Sequence, residues 1–149
     1  FFIYHVYPVV DLFGPAVWVE GGADYEGLTE NGRYQRFVNT VTVGFKDGGL
    51  GQWTWAGGIE IREAEEYQRF VLTEGTLLRE NGRWCRSTRQ GIEEVHPLQE
   101  PTVSLEEVFL DEVRRGSTEW LPDAQTALEA IQVSLAAELS MKEHRRVSL

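Results

Sequence analysis

Beyond its first fifteen residues the chain changes its hydrophobic period once, and that change constrains the fold more than any other feature. From Ala16 to His96 apolar and polar residues tend to alternate; beyond Ser104 the apolar residues recur every three or four positions. Side chains on a strand alternate between faces, whereas those on a helix return every 3.6 residues. A run of strands followed by helices implies an α+β fold with helices gathered on one face of the sheet.

The strand region divides at turn residues. Ala16 to Glu20 predicts a first short strand. Tyr34 to Phe45 carries Phe37, Val41, Val43 and Phe45 on one parity, with Thr40 and Thr42 on the other. Lys46-Asp47-Gly48-Gly49 predicts a tight turn, because Asp-Gly steps tolerate positive φ. Gly51 to Ile61 reads as the returning strand, with Trp53 and Trp55 on one face. Phe70-Val71-Leu72 and Thr76-Leu77-Leu78 form two strands around Glu74-Gly75, and Asn81-Gly82 is a second turn before Trp84 to Thr88. Strands joined by short turns pair antiparallel. The expected sheet is large, mostly antiparallel and open on one face.

Ser104-Leu105-Glu106-Glu107 is a capping box, followed by Leu105, Val108, Phe109 and Val113 on one stripe. Gly116 supplies the stop. Asp123 can cap a second helix, in which Ala124, Leu128, Ile131, Leu135 and Leu139 recur at helical spacing while Ala127, Ala130, Ala136 and Ala137 permit close packing. At the other end, Phe2 to Phe13 is apolar and aromatic and closes on Gly14-Pro15. Proline inside a helix costs about 3 kcal/mol outside the first turn, so Pro8 predicts a short helix starting near Tyr7 with an irregular entry.

The 149 residues suffice for one domain, taken as residues 1–149. The net charge of −10 argues against nucleic acid and against anionic membranes. No apolar run approaches the roughly 18–20 residues that span a bilayer. The lone Cys85 permits no intrachain disulfide, and Phe1 to His5 lacks a basic leader; a cytoplasmic setting is expected. His5, His96 and His144 lie too far apart for a metal-ligand spacing, so no metal is assigned. The cluster Glu60, Glu63, Glu65 and Glu66 reads as a solvated hairpin end.

Four segments together resemble one family. They are Val6-Tyr7-Pro8-Val9 followed by Leu12-Phe13-Gly14, Phe45-Lys46-Asp47-Gly48-Gly49-Leu50-Gly51, the stretch from Pro122 to Ser140, and the closing Arg145-Arg146-Val147-Ser148-Leu149. In order and spacing they resemble the C-terminal domain of the Gfo/Idh/MocA nicotinamide-dependent oxidoreductases, over nearly the whole chain. The resemblance implies a substrate-binding and oligomerisation domain that would work beside an N-terminal Rossmann domain. That domain would bind NAD or NADP and supply a Glu-Lys-Pro segment whose Lys assists proton transfer. Neither its glycine-rich turn nor Glu-Lys-Pro occurs here: Gly57-Gly58 lacks the rest of the fingerprint, and Gly48-Gly49-x-Gly51 sits in a strand turn. No cofactor is therefore expected on this chain alone, and no turnover.

The resemblance implies hydride transfer to or from a sugar, cyclitol or similar polyol, with a proton moved at the substrate oxygen. Tyr7 falls where the family places its proton-transferring His or Tyr. A phenol with its ordinary pKa near 10 needs a nearby cation to act as a base. His5 is the rival, since its ordinary pKa near 6.5 suits proton transfer unaided. Tyr4, Tyr7 and Asp11 fall at helical spacings, so Asp11 and Tyr4 are candidates to bind substrate. Many members carry an Asp four residues before the His or Tyr; Ile3 stands there in this chain. The alternative reading is a non-catalytic binding or oligomerisation module on the same sheet. A small enzyme with a sheet wrapped around its own pocket is a third. Trp53 and Trp55 are expected on the open sheet face as a contact between copies in a homo-oligomer.

Overall fold

The computed structural model describes residues 2–60, 66–80, 82–96, 103–118 and 121–149. It is an α+β fold, with three helices and two four-stranded antiparallel sheets among the described residues. The chain forms two compact units, Phe1–Ile59 with Asp111–Leu149, and Glu60–Leu110.

In the first unit, α1 (Phe2–Phe13) leads into β1 (Ala16–Leu28), β2 (Tyr34–Phe45) and β3 (Leu50–Gly57). The sheet order is β3-β2-β1-β8, where β8 is Val147–Ser148 at the chain's end. Register places Val19 opposite Val43, and Gly21 opposite Val41, which in turn faces Trp53. These residues point to one face, where α1 and the long α3 (Leu121–Glu143) cover them. Val6, Val10, Val19, Val41, Val43, Ala130, Val133 and Ala137 form the buried cluster between the layers. The opposite face is mixed, with Thr40, Gln52 and Thr54 exposed beside Val38 and Leu50.

Three expectations change here. The helix at the N-terminus begins at Phe2, not near Tyr7, and carries Pro8 in its interior. Pro8 and Tyr4, whose carbonyl the proline leaves without its usual donor, are both exposed, so water reaches the break. Burying Val6 and Val10 gains about 1.5–3 kcal/mol each, which outweighs the roughly 3 kcal/mol cost of the proline. The first strand runs on to Leu28 because glycines that weaken strand propensity are needed for close approach. A Cβ at Gly21 would lie 2.9 Å from Met141 Cγ and 3.2 Å from the Ala137 carbonyl oxygen of α3. Finally, α3 starts at Leu121, so Asp123 lies in its first turn, where a carboxylate still suits the helix dipole.

α3 also buries the side of it that the leucine pattern did not indicate. Ala130, Val133, Ala136, Ala137 and Ser140 face the sheet, while Leu128, Ile131, Leu135 and Leu139 are exposed. Close packing selects the small residues, because only they let the helix reach Gly21. Trp53 and Trp55 are corrected likewise. Both lie under α1, where Phe2 meets them edge-on at 5.5 and 5.0 Å. They are not on the open face.

One hydroxyl ties the helix, the first strand and the chain's end together. β8 pairs with β1 only at Trp18 and Val19. At the next inward position on the ladder the Gly21 N–H donates to Ser140 Oγ at 2.8 Å, and that hydroxyl donates to the Arg145 carbonyl at 2.5 Å. Ser140 is fully buried. Beside it Arg146 donates to Glu20 through Nε and Nη2, and its guanidinium lies 3.9 Å from the Trp18 ring centre.

The second unit is a meander of β4 (Tyr67–Leu72), β5 (Gly75–Glu80), β6 (Arg83–Thr88) and β7 (Gly91–Val95) in sequential order. Phe70 stacks on Trp84 at 6.0 Å. Glu66 accepts from Arg79 and Gln68, whereas Ile61, Glu63, Glu65 and Asn81 lie outside the described residues. α2 (Leu105–Arg115) opens with the expected capping box: Glu107 N–H donates to Ser104 Oγ, and Ser104 N–H to Glu107 Oε2, both at 3.2 Å. Gly116, at φ +62°, ends it as expected. Its stripe of Val108, Phe109 and Val113 is exposed, and Glu112 is its buried residue.

Ser140→Ala removes the bridging hydroxyl and leaves a buried N–H and a buried-side carbonyl without it. The expected loss is about 1–3 kcal/mol, read as a lower urea midpoint with an unchanged slope.

Candidate functional site

α1 carries all four residues singled out by sequence. Consecutive helix positions are about 100° apart, so residues two apart point to opposite sides. His5 and Tyr7 therefore serve different surfaces. The His5 ring sits 6.2 Å from the Trp55 indole, tilted by 57°, on the side that meets β3. Tyr7 is half-buried on the side that meets α3.

Tyr7 joins a small acidic group. Burial raises its phenol pKa above the ordinary value, and the carboxylates of Asp123 and Asp11 raise it further. Asp11 lies one turn along α1 and is exposed; Asp123 comes from the first turn of α3. Tyr4 lies three residues before Tyr7 and is 77% exposed. The fold thus brings Tyr4, Tyr7 and Asp11 to one side, as their spacing implied, and adds Asp123. Sequence reading saw Asp123 only as a cap. Its approach to Tyr7 arises from α1 packing on α3, a contact between segments more than a hundred residues apart.

All three influences favour the neutral phenol. Ile3 packs against the buried cluster. Phe2 and His5 give the other side of α1 an aromatic lining with Trp53 and Trp55.

The glycines do not form a dinucleotide cradle. Phe45 N–H donates to the Gly49 carbonyl, and Gly48 N–H to the Phe45 carbonyl, so this turn closes a hairpin. Among the described residues no glycine turn opens a helix, and a pyrophosphate site needs that arrangement. Among the described residues, no group of three or more His, Cys, Asp or Glu could hold a metal ion. His96 borders a shallow depression of the second unit, lined also by Leu72, Thr76, Arg86 and Glu93, where Arg86 and Glu93 already pair. No helix among the described residues is long and apolar enough to cross a membrane.

Because the folded phenol holds its proton to higher pH than an unfolded tyrosine, it contributes stability that is full below pH about 10 and lost as the pH rises through the folded value. Asp123→Asn removes one of the carboxylates responsible. The Tyr7 pKa is expected to move down toward its ordinary value, measured by NMR titration of ring-labelled tyrosine with Tyr7→Phe to assign the signal.

No family model and no curated protein matches the chain. Solved structures do. The chain superposes on biliverdin reductase from Synechocystis sp. PCC 6803, solved with biliverdin and NADP+, with a TM-score of 0.77 and 17% identity over 93% of this chain and 44% of that one. For aldose-aldose oxidoreductase from Caulobacter crescentus the TM-score is 0.75, with 14% identity over 99% and 46%. For UDP-N-acetylglucosamine 3-dehydrogenase from Acidithiobacillus ferrooxidans it is 0.65, with 16% identity over 94% and 46%. The chain spans less than half the length of each. These neighbours are oxidoreductases of the Gfo/Idh/MocA type, and their likeness to this chain is one of fold.

Proposed function

We propose that this chain is the C-terminal, substrate-side domain of a Gfo/Idh/MocA oxidoreductase. Residues 1–149 would act as one functional domain, beside a nucleotide-binding domain. The observation that carries the reading is one of extent. Nearly all of this chain matches, and it matches only about half of each neighbour. The substrate class is a sugar, cyclitol or similar polyol, in keeping with the aldose and UDP-sugar enzymes among those neighbours.

In this reading the companion domain holds NAD or NADP, which supplies or accepts hydride. The work of this chain is at the proton. Tyr7 Oη, held neutral by burial and by Asp123 and Asp11, gives a proton to the substrate oxygen in the direction of reduction. To act in the reverse direction it needs the cation of the companion domain. Asp11 and Tyr4 lie on the same side of α1 and are exposed, so they can receive substrate hydroxyls. His5, on the other side, belongs to the aromatic lining. An oligomer contact through the open sheet face rests on its exposed position alone, since Trp53 and Trp55 are elsewhere.

A second reading changes the substrate and keeps the fold. A neutral Tyr7 and Ile3 in place of a carboxylate suit reduction of an acceptor that has no hydroxyl to ionise, such as the biliverdin held by the Synechocystis neighbour.

The test uses the full-length protein with NADH or NADPH, a panel of polyols and their keto forms, and biliverdin, followed by nicotinamide absorbance. Turnover with a keto sugar or polyol supports the first reading, and turnover confined to biliverdin the second. Tyr7→Phe is expected to lower kcat by about 10²–10⁴-fold, the usual contribution of a general acid, while His5→Ala leaves kcat nearly unchanged. Cofactor binding with no turnover on any substrate would favour a non-catalytic module.

A further inference from the structure

Pro8 breaks a local rule in α1, and it stands beside Tyr7. A proline inside a helix has no N–H for the carbonyl four residues back, which here belongs to Tyr4. Burial of Val6 and Val10 explains how the helix survives this, but alanine at position 8 would keep both burials and restore the bond. Nor does the proline ring serve the core, because Pro8 is exposed. A costly residue that neither caps the helix nor fills the core marks a place where the backbone is put to another use.

The freed oxygen lies on the candidate site. Positions 4, 7, 8 and 11 share one side of a helix. On that side Tyr4, Pro8 and Asp11 are exposed and Tyr7 is half-buried. Helix carbonyls point toward the C-terminus, whereas side chains lean toward the N-terminus. The Tyr4 carbonyl therefore points toward Asp11. The Tyr7 ring and the Asp11 carboxylate lean back toward that carbonyl, and the surface of Pro8 lies between. The Tyr4 and Asp11 Cα atoms are about 10 Å apart along the axis, so the groups facing each other across Pro8 leave a gap of small-molecule size.

We infer that the Tyr4 carbonyl oxygen, freed by Pro8, accepts a hydrogen bond from a substrate hydroxyl; the inference rests on the proposed function above. A backbone carbonyl only accepts, and so does an ionised Asp11, whereas the neutral Tyr7 phenol can donate. Two acceptors flanking a donor match a compound with several neighbouring hydroxyls, of which one receives from Tyr7 and others donate. They do not match an ionised carboxylate or phosphate, whose oxygens accept. The part of the substrate held at α1 is thus a neutral polyol. Pro8 is a positioning residue here: it acts through the backbone of Tyr4.

The test uses the full-length protein, with myo-inositol and D-glucose beside NAD+ or NADP+, and myo-inosose and D-fructose beside NADH or NADPH. Pro8→Ala restores the helical bond and takes the carbonyl from the substrate. It is expected to raise the urea midpoint, and to raise KM by about 2–10-fold, the worth of one hydrogen bond, with a smaller change in kcat. A second variant, Pro8→lactic acid, is introduced as an α-hydroxy acid. Its ester oxygen carries no hydrogen, so the Tyr4 carbonyl stays free without the proline ring, and KM is expected to stay near that of the parent protein. A KM unmoved by Pro8→Ala overturns the inference and leaves the proposed function standing. So does a lactic acid variant that behaves as the alanine one, since then the ring matters and not the carbonyl. An unchanged urea midpoint for Pro8→Ala overturns it too, since then the carbonyl was not free. If the parent protein turns over none of these compounds, the proposed function fails and this inference with it.

Discussion

The seating of α3 on β1 organises the first unit, and it depends on a single interrupted rung. A direct N–H to carbonyl bond between Gly21 and Arg145 would continue the β1–β8 ladder. The Ser140 hydroxyl stands between them instead, accepting from one and donating to the other. Such a bridge satisfies two backbone groups and a side chain at once, which a buried site requires. It also sets the height of the helix above the sheet. That height is small enough to demand glycine at position 21 and small residues along the inner side of α3. With α3 so placed, α1 packs beside it, and Tyr7 comes within reach of Asp123.

This chain of dependence explains which parts of the fold were legible in the sequence. Period-two alternation marked β2 to the residue, Tyr34–Phe45, and turn chemistry marked the hairpin at Gly48-Gly49. The capping box at Ser104 formed as its residue types imply. Each of these signals is local. The errors arose where a distant partner decided. β1 was cut short because Gly21-Gly22 reads as a break until the helix above it is known. Trp53 and Trp55 gave their common face correctly but not which side the helices would cover. The leucines of α3 were read as a stripe and its alanines as the close-packing positions, since pattern alone records that a stripe exists and not what lies against it.

The candidate site divides in the same way. That Tyr4, Tyr7 and Asp11 share a side follows from helix geometry and was legible. That His5 and Tyr7 are exclusive alternatives follows from it too, once the helix is known to run unbroken through Pro8. Asp123 was not legible as a neighbour of Tyr7, because no local signal links positions 7 and 123. Together with burial, the larger cause, and with Asp11, it raises the Tyr7 phenol pKa above its ordinary value.

The two sides of α3 reverse a common intuition about fragile positions. In most helices the bulky aliphatics are the residues that cannot be exchanged and alanines are the forgiving ones. Here Ala130, Ala136 and Ala137 are buried, and at Ala137 the helix backbone comes close to Gly21, so added volume along this side is poorly accommodated. The leucines are largely exposed among the described residues. Variation along this helix would therefore record two separate histories: size limits on one side set by the sheet, and chemical character on the other set by whatever rests against it.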